Sequence, residues 1–161
     1  MAIDPALFQE NERTAPSADQ RQFVEVGSLD CETGGHLPAV TVAYETWGVL
    51  SPAKDNAILV CHALSGDSHA IGWWERLIGP GKAIDTNQFF VIGTNALGGC
   101  QGTTGPDSIG PDGKFYRTRF PVITVGDMVE VQSRVIDILG IDRLHAVTGG
   151  SMGGMQALEW T

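Results

Sequence analysis

The sequence predicts an α/β fold with a mostly parallel sheet flanked by helices. Three observations predict it. Three short runs are almost continuously apolar, as in strands covered on both faces. An amphipathic stripe of helical period lies between the second and third runs. A glycine-rich junction then joins the third run to another helix-like segment.

The elements follow in chain order. Residues 9–22 are polar and charged, so residues 1–22 read as a mobile N-terminal arm and 23–161 as the folded part. Phe23–Val26 and Val40–Tyr44 are rich in β-branched and aromatic residues, with turn chemistry at Thr33-Gly34-Gly35-His36 between them. An antiparallel hairpin is expected, with Val40, Val42 and Tyr44 on one face. Ala57–Cys61, Phe89–Gly93 and Leu144–Thr148 are the three apolar runs. Between the last two, Met128, Val131, Val135, Ile138 and Leu139 recur at spacings of three and four. They predict a helix over 127–139. Thr124 with Asp127 supplies a capping box, and Gly140 stands where a glycine would end that helix.

Composition removes several function classes. Ten Lys+Arg against 19 Asp+Glu give a net charge of −9, which argues against a nucleic-acid or anionic-membrane surface. No run of about 18 apolar residues spans a membrane. The start Met1-Ala2-Ile3-Asp4-Pro5 shows neither the basic nor the apolar region of a signal peptide. Cys31, Cys61 and Cys100 are odd in number and widely spaced, so a reduced, cytoplasmic protein without a disulfide framework is expected. His62 and His69 have no paired cysteine or third ligand, so no metal is expected. Trp73-Trp74 reads as packing or a pocket wall. Of the 21 glycines, seven lie within 93–113 and four within 149–154.

The second cluster carries the chemistry. Gly149-Gly150-Ser151-Met152-Gly153-Gly154 follows an apolar run and precedes Met155–Trp160, which matches the nucleophile elbow G-x-S-x-G. The serine there occupies a strained strand-to-helix turn, and flanking side chains would clash, so glycine takes their places. The N–H of Met152 is the expected first donor of an oxyanion hole. A phosphate loop is excluded because no Gly-Lys-Ser/Thr follows, and Ser151 breaks the register of a dinucleotide fingerprint. A second donor is expected from the turn His62–Gly66 after the first apolar run.

These motifs together resemble the homoserine O-acetyltransferase family. The resemblance is carried by His62–His69, Trp73-Trp74, Gly79–Lys82, Asn95–Pro106, Thr124–Val129 and Gly149–Gly154, from about residue 23 to the last residue. It implies an α/β-hydrolase fold used for acyl transfer in methionine biosynthesis. By position Ser151 is the implied nucleophile, and the backbone N–H groups of Leu64 and Met152 form the implied oxyanion hole. The implied reaction is ping-pong, moving acetyl from acetyl-CoA to the hydroxyl of L-homoserine, with no bound cofactor. A homodimer is implied for the whole enzyme. The alternatives are a serine or homoserine O-succinyltransferase, a plain esterase, or an inert fragment or pseudoenzyme that only binds. The loop Gly98–Pro106 is where the acyl choice is expected, and Thr103-Thr104 leans it to acetyl.

The resemblance also exposes a gap. In such enzymes an acid and then a histidine base follow the serine. Here only ten residues follow Ser151, and His36, His62, His69 and His145 all precede it. His62 reads as structural, His69 as a wall of the site, and His145 as a packed strand residue. The expectation is an N-terminal portion of a larger domain, without the C-terminal half and helical lid. It would have an unpaired sheet edge at the elbow strand, fold poorly and be inactive alone.

Overall fold

The structure is a computed structural model that describes residues 20–161. Residues 1–19, most of the expected arm, lie outside the described residues. The arm's last residues are fixed: Gln22 pairs with Tyr44, and Arg21 reaches the Gln101 carbonyl and Asp67.

Strand β1 (Gln22–Glu25) pairs antiparallel with β4 (Thr41–Trp47), as expected. A second, smaller hairpin is nested between them, formed by β2 (Leu29–Asp30) and β3 (His36–Leu37). Its turn is the predicted Thr33–His36 stretch, where Gly34 has a φ of +90°. Val40, Val42 and Tyr44 do share one buried face.

Three strands follow: β5 (Ala57–Cys61), β6 (Phe90–Thr94) and β7 (Leu144–Gly149). The five-stranded order is β1-β4-β6-β5-β7, with β6-β5-β7 parallel and β1 and β4 antiparallel to their neighbours. Central β5 is buried along its whole length, which explains its unbroken apolar run. Leu59 and Cys61 point to one layer with Ile92 and Ile136; Ile58 and Val60 point to the other with Val91, Ala70 and Ile78. Trp73 and Trp74 pack edge-to-face on that second layer beside the short helix α1 (Ala70–Trp73).

Helix α2 (Val125–Ile138) begins on the predicted capping box. Thr124 Oγ1 accepts from the Asp127 N–H, and Asp127 Oδ2 accepts from the Thr124 N–H. It ends at Gly140, φ +69°, in a Schellman motif: the Gly140 N–H donates to Asp137 O and the Ile141 N–H to Ile136 O. One member of the predicted stripe is wrong. Ile138 is 54% exposed, and the inward face carries Val131, Gln132, Val135 and Ile136 instead. Spacings of three and four fit two adjacent stripes, and the position of the sheet decides between them.

Strand β7 also departs from expectation. Its apolar run predicts burial on both faces, yet His145 and Ala146 are exposed. The reason is position: β7 is an edge strand of the five-stranded sheet among the described residues, as the expected unpaired edge implies. His145 is therefore not packed inside the sheet, and its ring lies 4.9 Å from that of Phe89. Helix α3 (Met152–Glu159) follows β7 and packs against α2 and β5.

Candidate active site

The parallel register places Cys61 of β5 opposite Gly149 of β7 on one side and Thr94 of β6 on the other. The segments that leave these three strands therefore emerge side by side at their C-terminal ends. Sites in open α/β sheets form at that edge.

The β7 segment is an elbow. Ser151 takes φ +57° and ψ −124°, a strained conformation for a residue with a side chain, and α3 starts at the next residue. The glycines around it provide room. A Cβ on Gly153 would lie 2.1 Å from Cys61 O, and one on Gly149 would lie 2.5 Å from Gly153 O. Both neighbours are backbone atoms that cannot move aside. Gly150, by contrast, has open space where its Cβ would be. Ser151 is exposed on the turn.

The β5 segment is the turn His62–Gly66. His62 is buried, and its Nε2 accepts from the Ala96 N–H at 2.9 Å. Its Nδ1 lies 2.6 Å from the Ala63 carbonyl. Burial pushes the imidazole below its ordinary pKa, opposed by the Ala63 hydrogen bond and the nearby Asp67 charge. His62 is thus the structural histidine the sequence suggests, a tie between the β5 and β6 segments.

A cavity of about 290 Å³ opens between the segments. Its apolar lining includes Leu64, Leu97, Ile123, Met128 and Met152, and Cys100 also faces it. Leu64 and Met152 thus both line one cavity. Among the described residues, neither of their backbone N–H groups donates to a protein acceptor.

Two sequence expectations fail here. Thr103 and Thr104 do not line the cavity; both are buried clips that hold the β6 loop to β4. Thr103 Oγ1 accepts from the Ala43 N–H and donates to Asn95 O, while Thr104 Oγ1 accepts from the Thr41 N–H. Their hydroxyls are engaged by backbone groups and not turned to the cavity. His69 is likewise absent from the lining. Its Nδ1 lies 2.7 Å from Glu45, a fully buried carboxylate that also accepts from Ser68 Oγ and has Arg21 at 3.8 Å.

The four histidines are each engaged away from Ser151: His36 with Asp30, His62 with Ala63 and Ala96, His69 with Glu45, His145 with Phe89. The thiols are free. Cys61 is buried, which pushes its pKa up to about 12 despite a hydrogen bond to Gln132; Cys100 is exposed.

The sequence reading missed a buried network beneath the elbow helix. Gln132 Nε2 donates to Gln156 Oε1 at 2.6 Å, and Trp160 Nε1 donates to Gln132 Oε1 at 2.9 Å. Both glutamines are buried, so α3 is pinned to α2 by side chains that satisfy one another. The available signal was a polar residue, Gln132, next to Val131 on the inward face of α2.

Comparison with known proteins agrees with this geometry. A family model described as alpha/beta hydrolase fold matches residues 56–161. A homoserine O-acetyltransferase of Leifsonia xyli subsp. xyli is 58% identical over 150 residues, covering 87% of this chain and 37% of that protein. The crystal structure of a homoserine O-acetyltransferase from Bacillus anthracis superposes with a TM-score of 0.83 at 42% identity, over 88% of this chain and 42% of that one. The esterase E22 superposes equally well, TM-score 0.83 at 41% identity, over 88% and 43%. The chain therefore spans about two fifths of the length of the relatives it matches. Strand order, a strained serine between a parallel strand and a helix, and the match over 56–161 lead to one conclusion: the chain belongs to the α/β-hydrolase fold family.

Proposed function

We propose that these residues serve an acyltransferase that moves acetyl from acetyl-CoA to the hydroxyl of L-homoserine through an acyl-Ser151 intermediate. The observation that carries the reading is Ser151 at its strained turn, immediately before Met152, which lines a cavity together with Leu64. In this reading Ser151 Oγ attacks the thioester carbonyl and gives its proton to a base. The N–H groups of Leu64 and Met152 stabilise the oxyanion, and the CoA thiolate leaves and takes up a proton. The homoserine hydroxyl then attacks the acyl-serine, releasing O-acetylhomoserine and restoring Ser151. The reading assigns the base and its acid to the part of the relatives' length that this chain does not span. It places the protein in the cytoplasm, supported by the free thiols, and makes the whole enzyme a homodimer.

The cavity supports acetyl over succinyl. Among the described residues no Lys, Arg, Asp or Glu lines it, and its histidine is buried with a lowered pKa. A succinyl carboxylate there would lose hydration without gaining a counter-charge, at a cost of several kcal/mol. A second reading, ester hydrolysis, is favoured by the equal superposition on esterase E22. The two differ in whether water or the amino acid takes the acyl group.

The test uses the complete gene product with acetyl-CoA and L-homoserine. We expect turnover, an acetyl adduct on the Ser151 peptide by mass spectrometry, and a loss of at least about 10⁴-fold in kcat for Ser151→Ala. Undiminished turnover in Ser151→Ala overturns the reading. Hydrolysis of acetyl-CoA with no acetylhomoserine formed favours the esterase.

A further inference from the structure

We propose that His62 is a positioning residue that aims the Leu64 N–H into the cavity, acting through the Ala63 carbonyl of the same peptide unit. The inference rests on the oxyanion reading of Leu64 and extends it to a side chain.

Three contacts build it. The Ala96 N–H, from the segment after β6, donates to His62 Nε2 at 2.9 Å. A ring nitrogen that accepts carries no proton, so a neutral imidazole must hold its proton on Nδ1. Nδ1–H then donates to Ala63 O at 2.6 Å, and the Gly66 N–H donates to the same oxygen at 2.8 Å. Two donors from different directions fix this carbonyl.

The carbonyl of Ala63 and the N–H of Leu64 belong to one planar amide. In a trans amide the two point in opposite directions, and no described peptide bond is cis. Pinning the oxygen toward the imidazole therefore turns the N–H away from it. Leu64 lines the cavity with Met152, and no described residue accepts from its N–H. Gly66 completes the device, since a Cβ there would lie 2.7 Å from His62 Cβ and displace the ring. Ala96 thus selects the tautomer, His62 transmits it, and Leu64 delivers the donor. Burial of the imidazole supports its neutral state.

Asparagine and glutamine separate this role from a plain tie between loops. In His62→Asn the side-chain amide nitrogen reaches the place of Nδ1 and can donate to Ala63 O, but nothing reaches Ala96. In His62→Gln the amide oxygen reaches the place of Nε2 and accepts from Ala96, but the Ala63 carbonyl keeps only Gly66. Removal of one oxyanion donor costs about 10²–10³ in kcat. For acetyl transfer by the complete gene product, His62→Gln is expected to lower kcat by about 10–100-fold, with KM for acetyl-CoA little changed. His62→Asn is expected to lose clearly less, even if its Tm falls further. Equal losses, or a greater loss in Asn, overturn the proposal and leave His62 a loop tie.

A second measurement needs no catalysis. Long-range ¹⁵N–¹H correlation of the wild-type protein is expected to show the His62 proton on Nδ1; a proton on Nε2 overturns the proposal. Failure of the underlying reading shows separately, as activity that survives Ser151→Ala.

Discussion

The turn His62–Gly66 and the elbow Gly149–Gly154 bring Leu64 and Met152 to the same cavity by opposite means. The elbow is shaped by the absence of side chains: Gly149 and Gly153 let backbone lie against backbone, and Ser151 absorbs the strain in a positive φ. The turn is shaped by the presence of one, because His62 holds Ala63 and is held by Ala96. Room is supplied by deleting atoms, whereas direction is supplied by hydrogen bonds. The first device is written in a few adjacent residues; the second depends on partners 34 positions apart.

The largest expected effect tests the first device. In Gly153→Ala the new Cβ meets Cys61 O at 2.1 Å and His62 O at 2.9 Å, both backbone. Overpacking a core costs about 1–3 kcal/mol and occasionally more, and a contact this short with central-strand backbone belongs at the upper end, so the variant should lose about 3 kcal/mol or more, or fail to fold. Gly150→Ala is the control three positions earlier in the same elbow. Nothing lies within 4 Å of its Cβ, and its φ is not positive, so stability should stay within about 0.5 kcal/mol. Urea denaturation of both variants measures the difference. Equal stabilities would mean that the elbow glycines are not there for room.

The next effect asks how far the elbow itself depends on side chains. Helix α3 leaves the elbow and is pinned to α2 through Gln132, Gln156 and Trp160. Gln132→Met keeps the volume but leaves Gln156 Oε1 and Trp160 Nε1 without these partners. We expect a loss of about 1–3 kcal/mol, measured by denaturant unfolding. Adding Gln156→Met should recover part of it, because the stranded partner is then removed as well. Strict additivity of the two substitutions would show that the glutamines do not act as a pair. A substantial coupling would make the elbow a hybrid, glycine-built at its tip and side-chain-built at its base.

The same contrast explains what was legible in the sequence. Strand β5, the capping box Thr124/Asp127, the stop at Gly140 and the elbow each depend on neighbours in sequence or on one short motif. Burial of β7, the outward turn of Ile138 and the roles of Thr103 and Thr104 depend on which element lies opposite. An apolar run at a sheet edge looks like one at its centre, so Leu144–Thr148 read as buried. A threonine pair beside a site looks like a pocket wall until its hydroxyls are found on the backbone of β4. His69 failed for the same reason, since its partner Glu45 is 24 residues away on β4.

The smallest expected effect separates the two proposed donors by pH. Burial lowers the pKa of His62 from the ordinary 6.5, against the raising influences of its Ala63 hydrogen bond and Asp67 on its own loop. The unfolded chain therefore binds this proton more readily than the folded one. Its contribution to stability is whole above about pH 6.5 and falls as pH drops through the lower folded value, with a slope for one proton of at most about 1.4 kcal/mol per pH unit. The imidazolium would also set an N–H against the Ala96 N–H, breaking the contact that fixes Leu64. The elbow holds no ionisable side chain from Gly149 to Gln156, so its donor should not respond. Thermal unfolding between pH 7 and 5 should thus decline more steeply in the wild type than in His62→Asn. Parallel declines would assign the acid sensitivity to other groups and leave the two donors alike in their response to pH.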